Sequence, residues 1–249
     1  MEKPYHHRHY LQRQKNGNFL LFALSILLST GTNTIAQEKD VPYVPTPYPV
    51  VEKMLDMANV GPGDYVIDLG SGDGRIVITA ALRGAIGHGV DIDPVRIREA
   101  SENARRAKVD DKVLFIQENI FETDFSKADV ITMYLLNSVN MKLRPTLLEK
   151  LRPGTRVVSH TFSMNEWKPD QQIEEKGHSI YFWIIPAKLA GKWNWETENN
   201  NFMMNVDQKF QEIELNISNG NSPVKVEDIS FSGNRINFKV TDTNNDAVY

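Results

Sequence analysis

The sequence predicts an α/β fold: a doubly wound, mostly parallel sheet with an antiparallel edge strand, followed by a small C-terminal antiparallel β-meander. Three observations lead there. Short apolar runs at 65–69, 88–92, 112–117, 129–133, 155–161 and 179–185 are interleaved with amphipathic stretches at 76–82, 94–108 and 139–151. Strands bounded by helices imply a parallel sheet covered on both faces. The run at 65–69 passes straight into a turn carrying Gly70, Gly72 and Gly74, as a strand does when it hands over to a helix at a ligand site. From about 188 onward helical periodicity disappears and short alternating runs take over: Phe202, Met204, Val206; Ile213, Leu215, Ile217; Ile236, Phe238, Val240.

Taken in order, the chain divides into 1–36, 37–187 and 188–249. In the first part Arg8, Arg13 and Lys15 precede an apolar run at 19–28, polar residues follow, and then Ile35, Ala36 and Gln37. This is the layout of a secretory signal peptide cleaved after Ala36, or of a short membrane anchor. The expectation is an exported, periplasmic or membrane-anchored protein. His6, His7 and His9 read as a solvated tail. The proline-dense segment 41–49 must be extended or turning. Val50, Met54, Leu55 and Ala58 then fall at helical spacing, and Gly61, Pro62 and Gly63 stop that helix. The strand at 179–185 is reached by a hairpin-like return through 173–176, which makes it antiparallel. In the last part Asn219-Gly220 and Ser232-Gly233-Asn234 supply turns, and Trp193 or Trp195 is the expected packing point on the main domain.

Composition excludes several chemistries. The 249 residues contain no cysteine, so disulfides, thiolate metal sites and cysteine nucleophiles are ruled out. A net charge of -4 without a basic stretch gives no nucleic-acid signal. No metal is expected.

The glycine turn narrows the ligand. A dinucleotide fingerprint needs its third glycine one residue later, where Arg75 stands. Asp68, two residues before Gly70, would repel a pyrophosphate but can hold a cationic amino-acid head group. Acid, any, Gly, any, Gly, any, Gly, with Ser71 inside the turn, resembles the first motif of the class I S-adenosylmethionine-dependent methyltransferases. That resemblance implies a Rossmann-like seven-stranded sheet and S-adenosyl-L-methionine as cofactor. The second strand should then end in an acid that takes a ribose diol. Asp91 stands there, with Ile92 to cover an adenine face and Asp93 to cap the helix opened by Pro94. Asn119, after the third strand, can accept from the adenine amine in place of the more usual aspartate.

A narrower resemblance rests on four segments: Val44-Pro45-Thr46-Pro47; Asp68 to Arg75; Tyr134-Leu135-Leu136; and the run 151–162, which includes Ser159-His160-Thr161-Phe162. Together they look like the small seven-stranded protein-lysine methyltransferases, whose mitochondrial members modify the ATP synthase c-subunit and the adenine nucleotide translocase. The resemblance covers about 41–186 and implies that Tyr134 lines the acceptor channel, with Thr46 and Tyr43 closing over the cofactor. Lysine must lose a proton before it attacks, and His160 is a candidate acceptor for that proton, or else a hydrogen-bonded structural residue. The expected partner is a protein substrate, membrane-associated in one version, and the oligomeric state is open. Two other readings stay open: a small-molecule, lipid or quinone methyltransferase, and a noncatalytic exported protein that binds a nucleoside or a partner.

Overall fold

Prolines 45 and 47 hold the entry to the domain extended until α1 (Tyr48–Met57), which begins inside the segment expected to be non-helical because Pro49 occupies a first-turn position whose N–H has no helical partner to lose. The computed structural model describes residues 43–198, 200–242 and 247–248. The predicted leader and its cleavage site lie outside the described residues. Among the described residues no helix is long and apolar enough to cross a membrane.

Seven strands form the main sheet: β1 (Tyr65–Leu69), β2 (Ile86–Asp91), β3 (Val113–Gln117), β4 (Val130–Met133), β5 (Arg156–His160), β6 (Gln171–Glu175) and β7 (His178–Ile184). Their order is β3-β2-β1-β4-β5-β7-β6. Pairing is parallel from β3 to β5, while β7 runs antiparallel to both β5 and β6. The hairpin return therefore places β7 one position inside β6, which forms the edge.

Helices cover the two faces. On one side α1 and α2 (Arg75–Leu82) bury Val51, Leu55, Ile76 and Ala80 against Val66, Val130 and Val158, and α3 (Pro94–Ala107) packs Ala104 with Ile78 and Ala81 of α2. On the other, α4 (Asn137–Lys150) packs Val139, Leu143 and Leu147 onto Ile67, Leu69, Ile131 and Met133. Strand order reverses between β1 and β4, so the ends of these strands diverge and leave a crevice beyond them.

The C-terminal strands divide between two antiparallel sheets. β8 (Gly191–Thr197), β9 (Asn200–Lys209), β10 (Glu212–Asn219) and β11 (Ser222–Pro223) form one, and β12 (Lys225–Ser232), β13 (Arg235–Asp242) and β14 (Ala247–Val248) the other. They share a small core of Phe202, Met204, Val206, Ile217 and Val240. Neither predicted tryptophan docks this module. Trp195 stacks on Phe202 inside the small core, and Trp193 is exposed, its indole N–H donating to the Leu189 carbonyl. Docking falls instead to the β9–β10 turn. Phe210 lies 6.0 Å from Trp167, Gln211 Oε1 accepts the Trp167 indole N–H at 2.8 Å, and Gln211 Nε2 donates to the Lys168 carbonyl at 2.6 Å. The alternating pattern reveals strands, but a packing residue in a tight turn leaves no periodic trace.

Candidate functional site

A cavity of about 360 Å3 opens at the carboxyl ends of β1, β2 and β4. Its size falls in the range of about 300–1,000 Å3 usual for small-molecule sites. Gly70, Ser71 and Gly72 form one edge, with Asp68 beneath and Asp91 beside them. The turn is bound to β2 at three points: the Gly70 and Ser71 amides donate to the Val90 carbonyl at 2.8 and 2.9 Å, and the Gly72 amide donates to Asp91 Oδ2 at 2.9 Å. Asp91 Oδ1 also accepts from the Asp93 amide at 2.9 Å. Each carboxylate oxygen keeps a lone pair, so Asp91 can still accept a diol while it orders the turn.

Two of the glycines make room for neighbouring side chains. Gly72 has φ 53°, and a Cβ there would lie 2.4 Å from the Tyr43 ring. Gly74 has φ 79°, and its Cβ would meet the Phe115 ring at 2.5 Å. Protein fills both spaces. Gly74 does not line the cavity at all, and its role is the close seating of α2 against β3 and α3.

Asp68 is buried and accepts a hydrogen bond from Thr132 Oγ1 at 2.7 Å. Burial pushes its carboxyl up to about 7; the Thr132 bond opposes this, and the charges of Asp91 and Asp73 reinforce it. A cation at this position removes the penalty and draws the carboxyl back toward ionisation. Asp73 behaves oppositely. Burial raises it, but the Arg75 fork outweighs burial, with Nε to Oδ1 at 2.9 Å and Nη2 to Oδ2 at 2.6 Å, and holds it below the ordinary carboxylate range.

Arg75 and Arg96 were not singled out in the sequence, yet they hold the entry segment over the cavity. Arg75 Nη1 donates to the Thr46 carbonyl at 2.8 Å, and the Arg96 guanidinium lies 4.5 Å from the centre of the Tyr43 ring. Tyr43 and Thr46 accordingly line the cavity, as do Ile92, Ile120, Asn119 and Tyr134. Asn119 Oδ1 already accepts from the Phe121 amide at 3.1 Å, which leaves one lone pair for a ligand.

Of the two readings of His160, proton acceptor or hydrogen-bonded structural residue, the geometry fits the second. His160 is wholly buried and does not line the cavity. Nδ1 lies 3.0 Å from Thr46 Oγ1, Nε2 lies 2.9 Å from His178 Nδ1, and the ring sits 3.9 Å behind Tyr134. Burial, with the nearby His178, drives its pKa down to about 4. With both nitrogens engaged and no path to the cavity, His160 is a positioning residue for Thr46 and Tyr134. The strand-end pattern could not distinguish these roles, because it does not show which way the ring points.

The donor set fits an adenosyl sulfonium. Asp91 suits a diol, Ile92 and Ile120 a flat base, and Asp68 a cationic head group. Ser71 Oγ is buried without a hydrogen-bond partner at the cavity edge, as a side chain that expects a polar ligand would be. Among the described residues no group of three or more histidine, aspartate or glutamate side chains is placed to hold a metal.

Comparison with known proteins agrees with this geometry. Residues 68–171 match the family model described as the ANTKMT methyltransferase domain. The chain is 47% identical over 153 residues to a protein-lysine N-methyltransferase of Saccharolobus islandicus, covering 58% of this chain and 94% of that protein. It is 32% identical over 164 residues to the mouse adenine nucleotide translocase lysine N-methyltransferase, covering 65% of this chain and 70% of that protein. Among solved structures, a Salinibacter ruber protein described as an RNA methyltransferase, in complex with S-adenosyl-L-homocysteine, is 53% identical with a TM-score of 0.58. That match covers 59% of this chain and 96% of the other.

Proposed function

From the premise that this chain belongs to the family of ANTKMT-type, S-adenosylmethionine-dependent methyltransferases, we propose that it methylates a lysine side chain of a protein by direct in-line transfer. The observation that carries the reading is the junction of two chemistries in one cavity: the acid-rich glycine turn on β1 and β2, and the aromatic mouth at Tyr134. S-adenosylmethionine, when bound, supplies an electrophilic methyl carbon. Asp68 holds its cationic head, Asp91 its ribose, and Ile92 and Ile120 its base.

The rest falls to the acceptor side. A lysine ammonium has an ordinary pKa of about 10.4 and cannot attack until it is neutral. Val44, Leu135 and Leu136 give the mouth an apolar lining that penalises a strongly hydrated, unmethylated ammonium, so the amine sheds its proton to water on entry. Alignment and exclusion of water do the remaining work. A membrane-associated acceptor is the finer part of the proposal. Its support is the apolar run at 19–28 and the exposed Val44 and Tyr48 beside the mouth.

The test is to incubate a membrane extract with the enzyme and methyl-labelled S-adenosylmethionine, then to separate protein, lipid and RNA. Label recovered as methyl-lysine in membrane proteins is the expected result. Label confined to lipid would replace the reading with a lipid methyltransferase. Label in RNA would extend to this chain the description given to the Salinibacter relative.

A further inference from the structure

Thr161, immediately after β5, has φ 67°, a left-handed conformation that a β-branched residue rarely adopts. The Phe162 amide donates back to the His160 carbonyl at 2.8 Å and closes a γ-turn of the strained hand. Buried side chains hold it there. Ser159 Oγ donates to the Phe162 carbonyl at 2.7 Å, and Asn140 Nδ2 donates to the same carbonyl at 3.1 Å and to Ser159 Oγ at 3.1 Å. Ser159 and Asn140 are both fully buried. Strain persists only where the surroundings over-determine it, and it gathers where a side chain must be aimed.

What the turn aims is the Phe162 ring. It lines the cavity with its centre 6.3 Å from that of Tyr134 and its plane within 24°, so the two rings form one aromatic wall. The rear of Tyr134 is closed by His160, which its burial keeps neutral, so no positive charge behind the wall opposes a cation in front.

We infer that Phe162 and Tyr134 form the binding surface for the alkylammonium head of the acceptor, and that Phe162 determines how many methyl groups its nitrogen receives. The inference rests on the lysine reading above. In each round the amine lone pair becomes the new N–C bond and the S–C electron pair returns to sulfur. After a first or second transfer the nitrogen is cationic until it yields a proton to water, and after a third it is quaternary and stays cationic. Between rounds the product is a methylated ammonium, and an aromatic face attracts such a cation through its ring quadrupole. Phe162 has no hydroxyl with which to hold an unmethylated ammonium, so the wall favours the more methylated head and retains it for another round.

The test uses the full chain saturated with S-adenosyl-L-homocysteine and two probes of the same shape, choline and the uncharged 3,3-dimethylbutan-1-ol. Calorimetry should show choline bound about fivefold more tightly by the wild type. Phe162→Leu should reduce that preference to about twofold or less, and Phe162→Tyr should restore it, with S-adenosyl-L-homocysteine affinity unchanged in both. In the labelled extract, Phe162→Leu should shift hydrolysed methyl-lysine toward the monomethyl form. Equal wild-type binding of the two probes, or an unchanged methyl-lysine ratio in Phe162→Leu, overturns the inference while leaving lysine methylation standing. If no methyl-lysine forms in any sample, the lysine reading fails and the probe titration alone decides the wall. Should Phe162→Leu lose S-adenosyl-L-homocysteine binding, Phe162→Met, of similar volume, is read in its place.

Discussion

The cofactor side of the cavity comes from two neighbouring strand ends, where the Gly70 and Ser71 amides donate to the Val90 carbonyl, the Gly72 amide donates to the Asp91 carboxylate, and Asp68 lies on the adjoining strand. The acceptor side is assembled from afar. Tyr134 follows β4, Phe162 follows β5, Asn140 reaches in from α4, and the 161–170 segment that carries Phe162 is gripped at Trp167 by a hairpin from the C-terminal module. The first wall is stiff because the sequence is locally consistent. The second is stiff only while separate elements stay docked, so changes far from the chemistry should reach the acceptor without disturbing the cofactor.

The severest test of that contrast is Gly72→Val. A β-branched residue at φ 53°, with its Cβ 2.4 Å from the Tyr43 ring, should cost about 2–3 kcal/mol and abolish S-adenosyl-L-homocysteine binding. Thermal unfolding and calorimetry read both effects.

Asp68→Asn comes next. Loss of a charge-assisted bond should weaken S-adenosylmethionine binding by about 10- to 100-fold at pH 8. Wild-type affinity should rise with pH through about 7 as the Asp68 carboxyl ionises, and the variant should show no such rise. Stability of the unliganded protein should move the other way. A carboxyl raised by burial contributes stability that is full below the ordinary carboxylate range and is lost as pH rises through about 7. The Asn variant lacks this loss, so denaturant unfolding at pH 5 and pH 8 should separate the two proteins.

Gln211→Ala probes the opposite wall. It leaves the buried Trp167 indole N–H without its partner at 2.8 Å and should cost about 1–3 kcal/mol. Methyl transfer should fall while S-adenosyl-L-homocysteine affinity holds; equal loss of both would break the contrast between the walls. The smallest effect belongs to Lys168→Ala. That residue forms an exposed pair with Glu212 at 2.5 Å, so stability should change by less than about 0.5 kcal/mol by denaturant titration.

The same contrast explains what could be read in advance. Asp68, Asp91 and Asn119 were visible because each stands at a fixed distance from a strand end, and spacing along a strand determines position at its tip. The main sheet was visible for a similar reason, since burial on two faces leaves continuous apolar runs. Arg75 and Arg96 were hidden, because the partners that give them their role, the Thr46 carbonyl and the Tyr43 ring, come within reach only once the entry segment folds over the turn. Phe162 lay inside a recognised segment without a role. Its direction depends on the left-handed Thr161, a conformation that no residue preference announces. The burial of His160 and the docking by Phe210 likewise follow from tertiary contacts alone.

The grip on Trp167 has an optical consequence. The Trp167 and Trp183 rings lie 5.6 Å apart and are both fully buried, whereas Trp193 is 46% exposed. The paired indoles form a coupled chromophore in the near-ultraviolet, and Gln211 fixes the orientation of one of them. Unseating the hairpin should collapse the circular dichroism of that pair and leave the secondary-structure bands almost unchanged. The protein thus carries its own spectroscopic gauge of whether the acceptor wall is braced.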